Sequence, residues 1–312
     1  MLKTYKHLFG PVPSRRLGLS LGVDLLLPKT CSLDCVYCES GITTSLTLNR
    51  YEYVASDQVE IELNDFLSAH PRLDYVTFSG WGEPVLNSGM PRIVRFIKMH
   101  FPQYKIALLT NGTLFYMEQA RADVLDIDLI VASLDAVSDD VFQALNRPHS
   151  ALEPERIIQG LIDLRKEFRN ELWLEIFIVP GLNDTDSELR KLSDAAIQIG
   201  ADKIQINTLD RPGTESWVKP CEKCDFERIQ RYFDNLEIVK GDASVGKDIP
   251  CALSDIDFSI LQLIRRRPCT REDMVKSTGH SKERVEESLK RLLSEGKIHS
   301  EKMMRGDFYR IS

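Results

Sequence analysis

The stretch Cys31-Ser32-Leu33-Asp34-Cys35-Val36-Tyr37-Cys38 sets three thiols at C-x3-C-x2-C spacing. It follows the short apolar run Ser20–Leu25, which reads as a β-strand. A loop after a parallel strand lies at the strand's C-terminal end, where α/β folds keep their sites. Three thiolates can each hold one iron of a [4Fe–4S] cluster, which leaves the fourth iron without a protein ligand. Zinc, or a cluster closed by a distant fourth ligand, is the alternative.

Five more strand-like runs follow downstream: Tyr75–Gly80, Lys105–Thr110, Leu129–Leu134, Leu172–Val179 and Lys203–Thr208. Most are apolar or β-branched throughout, as in parallel strands covered on both faces. Helical periodicity lies between them, over Asp57–Ala69, Pro91–His100, Thr113–Val124, Pro154–Arg169 and Asp186–Ile199. Pro91 and Pro154 suit first-turn positions, and Asp186 reads as a cap. Strand–helix alternation predicts an α/β parallel sheet. Six units within roughly 190 residues are too few for a closed eightfold barrel, which needs about 250. The expectation is a partial (β/α)6 barrel, with a doubly wound open sheet as the alternative.

Residues 255–312 have a different pattern. Helices are expected over Ile256–Arg266, Thr270–Ser277 and Ser281–Glu295, and Lys297–Ser300 with Phe308–Ile311 flank a turn. Three helices and a hairpin predict a winged helix-turn-helix. The expected division is a barrel over 1–240, a linker over 241–254 and a winged-helix-like domain over 255–312.

Composition narrows the function classes. Of 312 residues, 43% are hydrophobic and 28% charged, which excludes a disordered chain. There is no apolar run long enough for a membrane span and no signal-peptide pattern at the start, so the expected location is cytoplasmic. The net charge of −7 divides into +3 over residues 255–312 and −10 over the rest, which does not indicate a generic nucleic-acid binder. The helix expected over Ser281–Glu295 mixes Lys282, Arg284, Lys290 and Arg291 with Glu283, Glu286 and Glu287, so docking of a protein or substrate is as reasonable there as DNA. Seven cysteines, five of them in two tight clusters, favour metal over disulfides. The second cluster is Cys221-Glu222-Lys223-Cys224, with Cys251 beyond it. It admits an auxiliary Fe–S cluster, zinc or unliganded thiols.

The triplet, with an aromatic residue (Tyr37) before its last cysteine, resembles the defining motif of the radical S-adenosylmethionine (radical SAM) superfamily. Supporting motifs come in the expected order. Ser79-Gly80-Trp81-Gly82-Glu83-Pro84 resembles the superfamily's GGEP motif, which holds the SAM amino group. Thr110-Asn111-Gly112 and Ala132-Ser133-Leu134-Asp135 end strands where SAM is contacted, and Ile178-Val179-Pro180-Gly181 resembles the segment beside the adenine. The resemblance therefore implies Cys31, Cys35 and Cys38 as metal ligands, and Tyr37, Gly80, Gly82, Glu83, Asn111, Ser133, Asp135 and Val179 as cofactor-binding residues. No side chain is assigned a catalytic role. From sequence, Asn111 and Asp135 also read as plain helix caps.

A narrower likeness rests on Phe9-Gly10-Pro11-Val12-Pro13-Ser14-Arg15-Arg16, Asn146-Arg147-Pro148-His149 and Asn207-Thr208 through Arg211-Pro212. These are similar to the branch of Fe–S oxidoreductases grouped with the wyosine-base (tRNA imidazoguanosine) synthases. Those synthases ligate a second cluster with cysteines upstream of the triplet, whereas Cys31 is the first cysteine here. Arg15, Arg16, Arg147 and His149 become candidates for contacts to an anionic substrate. The implied activity is reductive cleavage of SAM to a 5′-deoxyadenosyl radical that abstracts hydrogen from a substrate such as a tRNA base or a protein side chain. The implied partners are a flavodoxin- or ferredoxin-type reductant and that substrate. The rival expectation is a winged-helix regulator that uses an Fe–S domain as a redox or SAM sensor.

Overall fold

The computed structural model describes residues 5–234, 236–239 and 255–312. The chain opens with an antiparallel hairpin, β1 (Leu8–Ser14) and β2 (Gly18–Val23), followed by a two-residue parallel ladder of β3 (Thr30–Cys31) and β4 (Ser45–Leu46). Helices and strands then alternate: α1 (Ser56–Leu67), β5 (Tyr75–Phe78), α2 (Met90–His100), β6 (Lys105–Thr110), α3 (Glu118–Ala122), β7 (Leu129–Ser133), α4 (Asp139–Asn146), α5 (Pro154–Glu167), β8 (Glu171–Phe177), α6 (Asp186–Ile199), β9 (Lys203–Asn207), α7 (Lys223–Ile229) and β10 (Leu236–Ile238). The main sheet runs β1-β2-β5-β6-β7-β8-β9-β10, parallel from β2 onward. Its two end strands do not pair with each other, so the sheet stays open.

Side chains alternate across this sheet with period two. Ile106, Leu108, Ile130, Ala132, Leu172, Leu174 and Ile176 join the large core beneath the helices. Ala107, Leu129, Val131 and Trp173 gather with Leu17 in a separate cluster on the other face. Burial on both faces explains why these strands read as continuous apolar runs.

The six expected strands are present, Lys105–Thr110 with the expected ends and the others with ends shifted by one or two residues. The sequence reading missed the edge strands β1 and β10. Thr113–Val124 is helical only over Glu118–Ala122. Asn111 Oδ1 accepts from Thr113 N (3.1 Å) and Thr113 Oγ1 (2.8 Å), which bends the chain into turns before the helix starts. The cap of α6 is Thr185, whose side chain accepts from Glu188 N, so Asp186 is instead the first helical residue.

The linker expected over 241–254 falls outside the described residues. Beyond it come α8 (Ile256–Arg266), β11 (Cys269–Thr270), α9 (Arg271–Thr278), α10 (Lys282–Ser294), β12 (Ile298–Met303) and β13 (Gly306–Ile311), with strand order β11-β13-β12. Ile260, Leu263, Met274, Val285, Leu289 and Leu292 form the core here, and Val12 of β1 joins it. No described helix is long and apolar enough to cross a membrane.

Candidate functional site

The cysteine loop leaves β2 and arches over the C-terminal ends of the strands. A nitrogen donor meets each of its three thiols. Asn111 Nδ2 lies 3.5 Å from Cys31 Sγ, Asn146 Nδ2 lies 3.3 Å from Cys35 Sγ, and Lys29 Nζ lies 3.3 Å from Cys38 Sγ. All three cysteines are half-buried. Burial pushes the Cys31 thiol up to about 12 and the Cys35 thiol well above its ordinary value. Unliganded, these buried thiols stay protonated. A polynuclear metal cluster would take them as thiolates, with the three donors sharing the sulfur charge. Among the described residues, no group of three or more His, Cys, Asp or Glu converges on a single-ion site. Three cysteine sulfurs on one loop, each met by a nitrogen donor, are donor chemistry that suits an Fe–S cluster.

Tyr37 stacks on Phe177 with ring centroids 3.8 Å apart and 7° between planes, and its hydroxyl donates to Asp135. The Asp135 carboxylate also accepts from Phe177 N (2.8 Å) and Asn146 Nδ2 (3.0 Å). The partners of this side chain are internal, so it ties the cysteine loop to the ends of β7 and β8. Val179 is buried behind the same loop, packed with Val36, Leu145 and Phe177.

The loop after β5 approaches the cysteine segment closely. A Cβ on Gly82 would stand 1.7 Å from the Thr30 carbonyl oxygen, and one on Gly80 would stand 2.5 Å from Asp24 Cγ. Gly80 also has φ +142°. Only glycine fits either place. Glu83 is buried. Its carboxylate accepts from Val85 N (3.0 Å), Thr110 Oγ1 (2.7 Å) and Asn111 N (2.7 Å). Burial nevertheless raises it to about 6. Glu83 thus braces Asn111, the donor to Cys31. Ser133 is half-buried in a cleft with Leu33, Tyr37, Asn111 and Asp135, and its hydroxyl makes no hydrogen bond among the described residues.

The sequence reading missed Lys29 and Asn146 as donors to the triplet. Lysine and asparagine carry no spacing signal, and only the fold brings Asn146 from α4 to Cys35. Arg147 and His149 both contact the cysteine loop. Arg147 pairs with Glu215 (2.7 Å) and reaches Asp34 (4.0 Å), while His149 N donates to Ser32 O (3.0 Å), so both hold the cysteine loop. Cys221 is half-buried, with its amide on Thr208 Oγ1 (2.8 Å), and Cys224 is exposed on α7. Cys251 lies outside the described residues.

An open α/β barrel with a three-thiol loop and a glycine-rich carboxylate loop at its mouth defines a class of cofactor-dependent radical enzymes. Residues 25–193 match the Radical SAM superfamily. A UPF0026 protein from Methanocaldococcus jannaschii is 32% identical over 230 residues, covering 73% of this chain and 71% of that protein. A Brachyspira hyodysenteriae protein named GTPase Obg is 32% identical over 309 residues, covering 96% of this chain but only 44% of that protein's length. Among solved structures, a radical SAM methyltransferase from Sphaerobacter thermophilus superposes with TM-score 0.56 at 18% identity, covering 70% of this chain and 65% of that one. The chain belongs to the Radical SAM superfamily and to the UPF0026 family. It is an enzyme of that superfamily, whose cofactors are a [4Fe–4S] cluster and SAM, and such enzymes generally draw electrons from an external reductant.

Proposed function

We propose that Cys31, Cys35 and Cys38 hold the [4Fe–4S] cluster, and that the chain cleaves SAM reductively to abstract hydrogen from a substrate in the open barrel. The observation that carries this reading is the set of three thiols, each with its own nitrogen donor, beside a glycine-only approach at Gly82. When bound, the cluster supplies one electron to SAM, which breaks to methionine and a 5′-deoxyadenosyl radical.

The chain's own residues orient and shield. Lys29, Asn111 and Asn146 would offset sulfur charge. Gly80 and Gly82 let backbone come close to the cosubstrate, and the free Ser133 hydroxyl is available to a ribose or carboxylate oxygen. Glu83 accepts from Thr110 and Asn111, and Asp135 from Tyr37, Asn146 and Phe177, which supports roles in positioning Asn111 and Tyr37. Val179 backs the loop from beneath. Tyr37 stacked on Phe177 gives the side of the cysteine loop next to Cys38 a rigid aromatic wall.

A tRNA base or a protein side chain is the proposed substrate class, since an open barrel gives a large molecule lateral access. The test is anaerobic: load iron and sulfide, reduce with dithionite, add SAM and quantify 5′-deoxyadenosine. Product that vanishes in the Cys31→Ala/Cys35→Ala/Cys38→Ala variant supports the reading. Loaded protein that binds SAM yet releases none, with or without tRNA and protein extracts, overturns it.

A further inference from the structure

The superfamily match ends at residue 193, yet the C-terminal segment reaches the mouth of the barrel. The helix end of α8 is fastened there by its carbonyls, which a helix C-terminus leaves unpaired. Trp81 Nε1, from the glycine-rich loop, donates to Arg265 O (2.8 Å). Ser40 Oγ, just past Cys38, donates to Arg266 O (2.9 Å), and Arg211 Nη1 donates to Pro268 O (2.7 Å). The Arg266 guanidinium turns inward to Asp24 (3.5 Å) and lies over the Phe9 and Trp81 rings. Backbone on both sides of Arg267 is therefore pinned to the barrel.

Arg267 itself lines a cavity of about 200 Å³ together with Arg15, Arg16, Cys38, Glu39 and Glu175. Tyr37 and Phe177 form part of the same wall. The charges around it can be counted. Arg15 reaches Glu39 (4.0 Å) and Asp210 (3.8 Å), and Arg211 reaches Glu39 (3.6 Å) and Asp273 (2.7 Å). Arg305 reaches Asp210 (3.1 Å) and Asp273 (3.0 Å), and Arg16 pairs with Glu175. Arg267 has no ion pair or side-chain hydrogen bond among the described residues. Five arginines thus face four carboxylates, and the one left without a partner among the described residues is Arg267. Burial and the nearby Arg211 lower the Arg267 guanidinium, and burial and Arg15 bring Arg16 down to about 10.

We propose that this cavity binds an anionic oxygen group of the substrate, a phosphate or a carboxylate, and that Arg267, contributed by the C-terminal segment, is the specificity residue that grips it. A guanidinium fork with free donors matches such groups. The inference rests on the proposed SAM-cleaving reading, in which the wall beside Cys38 belongs to the substrate chamber.

The test is calorimetric titration of the full chain with inorganic phosphate, and separately with acetate, run both cluster-loaded and cluster-free. Iron and sulfide content of the same samples reports on the cofactor reading independently. Saturable millimolar binding of one probe is expected, and the stronger probe tells phosphate from carboxylate. Arg267→Gln should weaken it at least ~10-fold and Arg267→Lys less, with the surface control Arg169→Gln unchanged. Thermal melting of each variant checks that the fold is kept. Equal binding to wild type and Arg267→Gln, no saturable binding of either probe, or displacement of the probe by SAM would each overturn the proposal.

Discussion

Lys29 is the only cation that touches a triplet sulfur among the described residues, 3.3 Å from Cys38 Sγ. Adding an electron to a cluster held there adds one negative charge, so a nearby cation favours the reduced state. With the added charge centred ~6 Å away and an effective dielectric of about 20–40, the interaction is worth about 1.4–2.8 kcal/mol. At ~59 mV per ~1.36 kcal/mol for one electron, that is about 60–120 mV. Lys29→Met should therefore lower the midpoint potential by that amount, and Lys29→Arg should keep most of it. The assay is a potentiometric titration of the loaded protein without SAM, followed by electron paramagnetic resonance. A Lys29→Met potential within about 20 mV of wild type would refute the claim that this ammonium faces the cluster.

Two further outcomes follow from the packing. Gly82→Ala puts a Cβ 1.7 Å from the Thr30 oxygen, so the loop must shift, at an overpacking cost of about 1–3 kcal/mol. Calorimetry should show a lower Tm, and SAM affinity should fall at least ~10-fold, while iron content stays near wild type. Burial alone would raise Asp273, but Arg211 and Arg305 outweigh it and hold the carboxylate well below the usual range. A depressed native pKa gives stability that is present above the unfolded value of about 4 and is lost as pH falls below it. Limited proteolysis of the C-terminal segment should thus accelerate on acidification below about pH 4, and Asp273→Asn should show the faster cleavage already at neutral pH.

What could be read from sequence follows the reach of each signal. The strands over Lys105–Thr110 and Leu129–Ser133 were legible because parallel strands buried on both faces are largely apolar runs. The site's outline was legible because cysteine spacing and a glycine-rich turn are local patterns. Thr113–Val124 was misread because a side chain, Asn111, redirects the backbone where apolar spacing still suits a helix. The β1 strand carries Gly10, Pro11 and Pro13, which mask a strand that is stabilised by pairing to β2 and by contact with the C-terminal core. Asn146 entered only as part of the Asn146–His149 likeness and Arg267 not at all, since each meets the cysteine loop only across more than a hundred residues.

The central claim is that the three-thiol loop holds a cluster with one iron open to SAM. The most direct measurement is electron paramagnetic resonance of the reduced, loaded protein before and after adding SAM labelled with oxygen-17 in its carboxylate. The account predicts a changed signal with hyperfine coupling to the label, and no such signal from the triple cysteine variant. A spectrum indifferent to SAM, or a cluster that survives loss of Cys31, Cys35 and Cys38, would contradict it.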